Sequence, residues 1–155
     1  MLTAIRTART ASIYIYKAKM IQVVDGDTID LEIDLGFKMR WATTCRFVGI
    51  DVYERNEKHG QIAKRYVADL FSVYGPEFFL HSDRDQIAIY NRVAGRPYLE
   101  HADGFVDVIG SLLASGFAKG KTPLPVGPVI LPTRDIVAAC ALGMKKRVPS
   151  NLGGH

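Results

Sequence analysis

The sequence predicts an α+β fold in which five β-strands close into a barrel and about three α-helices pack around it. Three observations favour this class. The chain has 155 residues, which is the size of one domain. Hydrophobic residues make up 48% of it, enough for a core of ordinary size. Runs rich in β-branched and aromatic residues come before and after one strongly periodic helical segment.

Three strands are predicted before the first helix, over residues 12–24, 28–35 and 38–50. The second gives the clearest signal, because apolar and polar residues alternate strictly from Thr28 to Leu35, as they do in a half-buried strand. Gly26 and Gly36 mark the turns on either side of it. We therefore expect the second and third strands to pair as a hairpin around Gly36.

A helix is predicted over residues 60–74, where apolar residues recur at helical spacing until Gly75 and Pro76 stop the pattern. The segments that follow are strands at 77–81 and 86–100, a short helix at 106–115, a proline-rich connector at 119–132 and a last helix at 134–147. Three strands, a helix and two more strands are what a five-stranded barrel of the OB type requires. We expect one domain over residues 12–148, a flexible basic arm at 1–11 and a frayed tail at 149–155.

Charge and cysteine content narrow the classes of function. The net charge is +4 and the isoelectric point is about 9.1, which favours a polyanionic partner. Cys45 and Cys140 make no disulfide framework and are expected to be buried thiols in a reducing compartment. The first residues lack the apolar run of a secretory signal, and no apolar run approaches the roughly 20 residues of a membrane span. We expect a cytoplasmic protein with no membrane partner, and a monomer is favoured.

Five carboxylates lie in the stretch DGDTIDLEID at residues 25–34. Parity along the second strand places three of them on its polar, solvated face: Asp30, Glu32 and Asp34. Asp27 has the parity of the apolar residues instead and should point inward, with Asp25 next to it across Gly26. A buried carboxylate is unfavourable unless a cation compensates it. Asp27 therefore predicts a cation at this end of the strand.

Arg46, Asp51 and Glu54 lie in the segment RFVGIDVYE, which ends the third strand and leads to the first helix. A hairpin around Gly36 would bring Asp27 and Asp51 to the same end of the barrel. Two carboxylates about 4 Å apart repel each other by roughly 4 kcal/mol at an effective dielectric constant of about 20. Such a pair needs a proton or a metal ion, and oxygen ligands without a Cys or His cluster favour a hard cation, Ca²⁺ or Mg²⁺.

Together these segments resemble the staphylococcal nuclease, or thermonuclease, family. The resemblance lies in VVDGDTIDL, CRFVGIDVYE and the YNR of residues 90–92, in that order, and in the helix-bearing segment DGFVDVIGSLLASGFA. It extends from about residue 20 to residue 118. The hairpin insertion EIDLGFKMR is similar to that of phage-type members, which implies a phage or prophage origin.

The resemblance implies a Ca²⁺-dependent endonuclease that hydrolyses single-stranded DNA and RNA with little sugar specificity and leaves 3′-phosphate ends. A single Ca²⁺ ion is implied, with Mg²⁺ less favoured. The resemblance also implies a role for each site residue. The metal would be bound by Asp27, Asp51 and the backbone carbonyl of Val52, with Asp25 near the metal but not directly bound to it. Glu54 would activate water, Arg46 and Arg92 would hold the phosphate and stabilise its transition state, and Tyr90 would contact the nucleotide.

Two assignments have open alternatives. Arg96 also follows a turn, so it could replace Arg92 as the second arginine on the phosphate. Lys119 and Lys121 are assigned to substrate binding, because a lysine pair can follow a nucleic-acid backbone, although solvated lysines give the same pattern.

The chain also departs from the family pattern. Tyr53 stands where the family has a proline, and the family's tyrosines after the segment ending at Ala118 have no counterpart here. Two other functions therefore stay open. One is an OB module that binds nucleic acid or protein with little or no catalysis. The other is a phosphodiesterase that takes a small nucleotide in a closed pocket.

Overall fold

The computed structural model describes residues 14–88 and 92–132. Its elements follow in the order β1 (Ile15–Asp25), β2 (Thr28–Gly36), β3 (Met39–Phe47), α1 (Lys58–Tyr74), β4 (Glu77–Ala88), β5 (Arg92–His101), β6 (Gly104–Asp107), α2 (Val108–Ala114) and β7 (Val129–Leu131). These described residues contain two helices. The expected third helix at 134–147, the arm at 1–11 and the tail at 149–155 lie outside them.

Five strands close into a barrel, as the sequence predicts. β1 pairs antiparallel with β2 and β4, β2 pairs with β3, and β4 pairs with β5. A parallel contact between β3 and β5 closes the ring, with Cys45 opposite Val93 and Phe47 opposite Gly95. This connectivity is consistent with an OB-type barrel. Sheet makes up most of the α+β fold, and β6 and β7 extend the sheet beyond the barrel.

The predicted hairpin between β2 and β3 is confirmed. Its register runs from Thr28 opposite Arg46 to Gly36 opposite Met39, with an irregularity just before the turn. Gly36, Phe37 and Lys38 all have positive φ, at 78°, 53° and 62°. This conformation is uncommon for a bulky side chain, and Phe37 is 99% exposed at the tip. At the end of the hairpin away from this tip, Thr28 and Arg46 lie opposite each other at one end of the barrel.

The alternating residues of β2 and β3 fill the barrel interior, and α1 covers one side of it. Ile29, Leu31 and Cys45 are fully buried, and α1 adds Ala63 and Val67 to the same core. Burial raises the pKa of the Cys45 thiol to about 12, so the thiol stays protonated at neutral pH. The expectation of a buried thiol is met at Cys45, and Cys140 lies outside the described residues.

The boundary between the fourth and fifth strands differs from the prediction. β4 continues to Ala88 instead of ending at residue 81, and β5 begins at Arg92 instead of residue 86. Ile87 pairs with Val93 and Ala88 pairs with Arg92, after a register shift that begins at Ser82. The sequence predicted a break between residues 81 and 86, but β4 is continuous there, and its pairing with β5 resumes at Ile87.

Two short strands were missed. Residues 104–107 form β6 ahead of α2, where the sequence pattern indicated a helix from 106, and β7 lies within the proline-rich connector. Val106 pairs with Ile130, which lies 24 positions further along the sequence. Strands of three or four residues are too short to show a period, so only this distant pairing defines them. No helix in residues 14–88 or 92–132 is long and apolar enough to cross a membrane.

Candidate active site

Asp27 occupies the turn between β1 and β2, and its side chain is 5% exposed. Its Oδ1 accepts a hydrogen bond from the Thr28 hydroxyl at 3.0 Å, and its Oδ2 accepts one from the Val52 backbone N–H at 3.1 Å. Arg46 Nη1 lies 2.9 Å from the same Oδ2. The inward parity of this residue thus brings a carboxylate into the protein, where a guanidinium and two hydrogen bonds compensate its burial.

Gly26 allows this turn to approach helix α1. A Cβ at that position would lie 2.7 Å from the Ala63 Cβ and 2.8 Å from Val52 Cγ1. Such distances are too short for any side chain, so glycine is required for the close contact. The contact brings the turn against Val52, whose N–H binds Asp27.

Arg46 joins two segments that lie far apart in the sequence. Besides the contact with Asp27, its Nη2 lies 3.2 Å from Asp51 Oδ1 and 3.5 Å from the Ile50 carbonyl oxygen. Asp51 follows β3 in the loop of residues 48–57, and its side chain is 62% exposed. One guanidinium thus lies between a buried and an exposed carboxylate, as expected for two acids that share one end of the barrel.

Glu54 lies three residues further along the same loop, with a side chain that is 65% exposed. Lys119 Nζ lies 3.8 Å from Glu54 Oε1 and 3.5 Å from Asp51 Oδ2. Lys119 therefore belongs to this site, whereas the sequence indicated only a general contact with nucleic acid. No local pattern could have shown this, because the contact joins residues more than sixty positions apart.

Asp25 is the last residue of β1, and its Oδ1 is buried without a hydrogen-bond partner. A buried, unpartnered carboxylate oxygen next to Asp27 fits a site that takes a cation. The other oxygen donors implied for the metal, on Asp51 and Val52, lie around the same turn and loop. Among the described residues, however, no group of three or more His, Cys, Asp or Glu side chains is gathered closely enough to hold a metal ion. Carboxylate and carbonyl oxygens are the ligands that a hard cation prefers, but the Arg46 guanidinium already lies between Asp27 and Asp51.

The second arginine has two candidates on β5. Arg92 begins the strand and Arg96 lies four residues later, and both share a face with Ala94, which pairs with Arg46. The parallel ladder with β3 begins at Val93, so Arg92 precedes it. Arg96 follows the ladder, on the side where the chain leaves β3 toward Asp51. The register therefore places Arg96 nearer the acids along the barrel.

The remaining predicted residues are more distant or not described. Tyr90 lies outside the described residues. Lys121 is exposed, and its backbone N–H donates to the Ala118 carbonyl at 3.2 Å. A cavity of about 440 Å³ lies on the outer face of β1, β2 and β4, where Lys17, Phe78 and Glu100 contribute to its lining. None of the candidate acids or arginines at the barrel end lines that cavity.

Comparison with known proteins finds no family model that matches this chain and no curated protein that matches it. The assignment of function therefore depends on the residues and contacts of the site.

Proposed function

We propose that this chain is a Ca²⁺-dependent phosphodiesterase that acts as an endonuclease on single-stranded DNA and RNA, with little sugar specificity, and leaves 3′-phosphate ends. One observation carries the proposal. Arg46 lies between Asp27 and Asp51 at one end of the barrel, and Glu54 shares the Lys119 ammonium with Asp51. The resemblance to the staphylococcal nuclease family assigns Asp27, Arg46, Asp51 and Glu54 to phosphodiester hydrolysis on an OB-type barrel.

The electrostatics of the site suit a phosphodiester. The phosphate is anionic and repels an incoming nucleophile, so positive charge must be supplied where the phosphoryl oxygens gather charge. Arg46 is 32% exposed and can present two N–H donors to those oxygens, and β5 supplies a second guanidinium from Arg92 or Arg96. Bidentate guanidinium contacts are well matched to phosphate geometry and would hold the phosphorus atom in place for attack.

A water molecule would then attack phosphorus in line with the departing oxygen. Glu54 is the acid suited to take the proton of this water, since its carboxylate is exposed to solvent while Asp27 is buried and hydrogen-bonded. In the proposal Asp27, Asp51 and the Val52 carbonyl hold the metal, with Asp25 behind them. Bound there, Ca²⁺ would neutralise the carboxylates and draw charge from the phosphoryl oxygens.

The test is hydrolysis of labelled single-stranded DNA and RNA oligonucleotides by the purified protein in millimolar Ca²⁺, in Mg²⁺ or in EGTA. We expect both substrates to be cleaved in Ca²⁺, more slowly in Mg²⁺, and not in EGTA. Products with 3′-phosphate ends should resist extension by a polymerase until a phosphatase has removed the phosphate. Intact oligonucleotides in Ca²⁺ would contradict the proposal.

A second function, an OB module that binds nucleic acid or protein without catalysis, is favoured by one observation. Every oxygen of Asp27 already has a partner, from Thr28, Val52 or Arg46, as in a purely structural network. The same samples separate the two functions. Retention of labelled oligonucleotide on the protein in Ca²⁺, with no cleavage after prolonged incubation, would identify a binding module.

A further inference from the structure

A short segment after helix α2 contacts the loop that carries Asp51 and Glu54. We call residues 118–121 the strap. Ala118 forms an isolated antiparallel bridge with Val52, and the Lys119 backbone N–H donates to the Asp51 carbonyl oxygen at 2.8 Å. The strap therefore pairs with the loop backbone at Asp51 and at Val52, the residue whose N–H binds Asp27.

Tyr53 provides a third connection. Its hydroxyl oxygen accepts a hydrogen bond from the Gly120 backbone N–H at 2.9 Å, and its ring meets His59 edge-on at 5.2 Å. Gly120 has a φ of 84°, a left-handed conformation that favours glycine. Tyr53 stands where the family pattern has proline, so this hydrogen bond offers a different way of restraining the same stretch of backbone.

The strap is itself anchored in the core. Phe117, directly before it, is fully buried, and its N–H donates to the Leu112 carbonyl of α2 at 3.1 Å. On the far side, the Leu124 N–H donates to the Ser115 carbonyl at 2.9 Å. Because these contacts fix both ends of the strap, the strap can hold the loop at one position relative to the core.

The side chain of Lys119 is a further contact between the strap and the loop. Its ammonium lies between the Asp51 and Glu54 carboxylates, and the side chain is 40% exposed. Ion pairs at this exposure are individually weak. The backbone contacts must therefore fix where the loop lies, while Lys119 limits the directions that the exposed Glu54 side chain can take.

We propose that Tyr53 and Lys119 are positioning residues for Glu54, acting through the strap. This inference rests on the proposed function, because it assigns Glu54 the proton of the attacking water. The loop of residues 48–57 contains no strand or helix, and the strap holds its backbone at Asp51 and Val52. With the strap in place, the Glu54 carboxylate stays close to the Lys119 ammonium that it shares with Asp51. Without it, the carboxylate would spend most of its time in other directions.

The kinetic test uses three variants, Tyr53→Phe, Lys119→Gln and Lys119→Arg, on a labelled oligonucleotide in Ca²⁺. Small misplacements of a catalytic group are costly, so we expect kcat to fall about tenfold in Tyr53→Phe and Lys119→Gln, with KM changed less than about twofold. Lys119→Arg should recover most of the rate, because it keeps the charge. A rise in KM at unchanged kcat would overturn the positioning role and indicate substrate binding.

Tyr66→Phe is the matched control for the loss of a hydroxyl. The Tyr66 hydroxyl donates to the Val126 carbonyl at 3.1 Å, further along the same connector, and touches neither the strap nor the loop. The kcat of Tyr66→Phe should equal that of the wild type. Lys58→Gln, which removes an exposed charge at the start of α1, is the control for net charge.

Hydrogen exchange tests the strap without any need for activity. Loss of one hydrogen bond in Tyr53→Phe should speed exchange of the Gly120 amide about fivefold, while Tyr66→Phe should leave it unchanged. Equal exchange in Tyr53→Phe and the wild type would overturn the inference. Absence of hydrolysis by the wild type would overturn the proposed function and the catalytic role with it, whereas the exchange rates would still decide whether the strap holds the loop.

Discussion

The two halves of the candidate site are built in different ways. Asp27 and Arg46 form the barrel half, where the acid is 5% exposed and has partners on both oxygens. Asp51 and Glu54 form the loop half, where the acids are 62% and 65% exposed and share the Lys119 ammonium. Strand register positions the first half, while contacts between distant segments position the second.

Because of this difference, substitutions in the two halves should affect folding stability to different extents. A change in the barrel half leaves a buried charge without its partner, which costs folding free energy and, under the proposed function, activity as well. A change in the loop half alters a solvated group, for which folding free energy changes little. We therefore expect variants of the two halves to differ in whether lost activity comes with lost stability.

The largest effect is expected from Glu54→Gln, which keeps the shape of the side chain and removes the carboxylate proposed as the base. Activity should fall about a thousandfold, in the range typical of a general base. The free energy of unfolding should change by less than about 0.5 kcal/mol, because the side chain is exposed. Initial rates and urea unfolding measure the two quantities.

Glu57→Gln is the control, since Glu57 is exposed and makes no side-chain cap to α1. Wild-type rates in Glu54→Gln would remove this residue from the mechanism.

The second effect concerns the arginine on β5. The register of β5 against β3 places Arg96 on the side of the loop, so Arg96→Ala should lower kcat/KM about a hundredfold, as loss of one transition-state donor does. Arg92→Ala should cost less. The reverse order would support the original prediction of Arg92, and equal wild-type rates in both variants would leave Arg46 as the phosphate arginine. Thermal melts of both variants exclude unfolding as the cause.

The smallest effect is on stability. Arg46→Gln leaves Asp27 and Asp51 without the guanidinium between them, and we expect a loss of about 2 kcal/mol in the free energy of unfolding in EGTA. Added Ca²⁺ should reduce the difference, because a cation that binds only the folded state stabilises it. Urea unfolding with and without Ca²⁺ measures both.

Arg40→Gln is the matched control on the same strand. Arg40 pairs with Glu32 at 3.2 Å, but its side chain is 65% exposed, so its loss should cost no more than about 0.5 kcal/mol. If the Arg46 and Arg40 variants have the same free energy of unfolding in EGTA, the ion pair of the barrel half contributes no more to stability than an exposed ion pair does.

Local patterns in the sequence determined the barrel and half of the site. Strict alternation from Thr28 to Leu35 defined β2, and the same parity showed that Asp27 points inward. The turn at Gly36 predicted the hairpin between β2 and β3, but not the contact of Arg46 with Asp27. These features depend on neighbours along one strand, which is why a single sequence contains enough information to predict them.

The tertiary structure alone decided the features that depend on distant partners. β6 and β7 exist because Val106 pairs with Ile130, and β4 continues to Ala88 because Ile87 and Ala88 pair with β5. Lys119 joins the acids because the strap crosses the loop. None of these contacts leaves a periodic signal, since the free energy that forms each of them comes from residues far away in the chain.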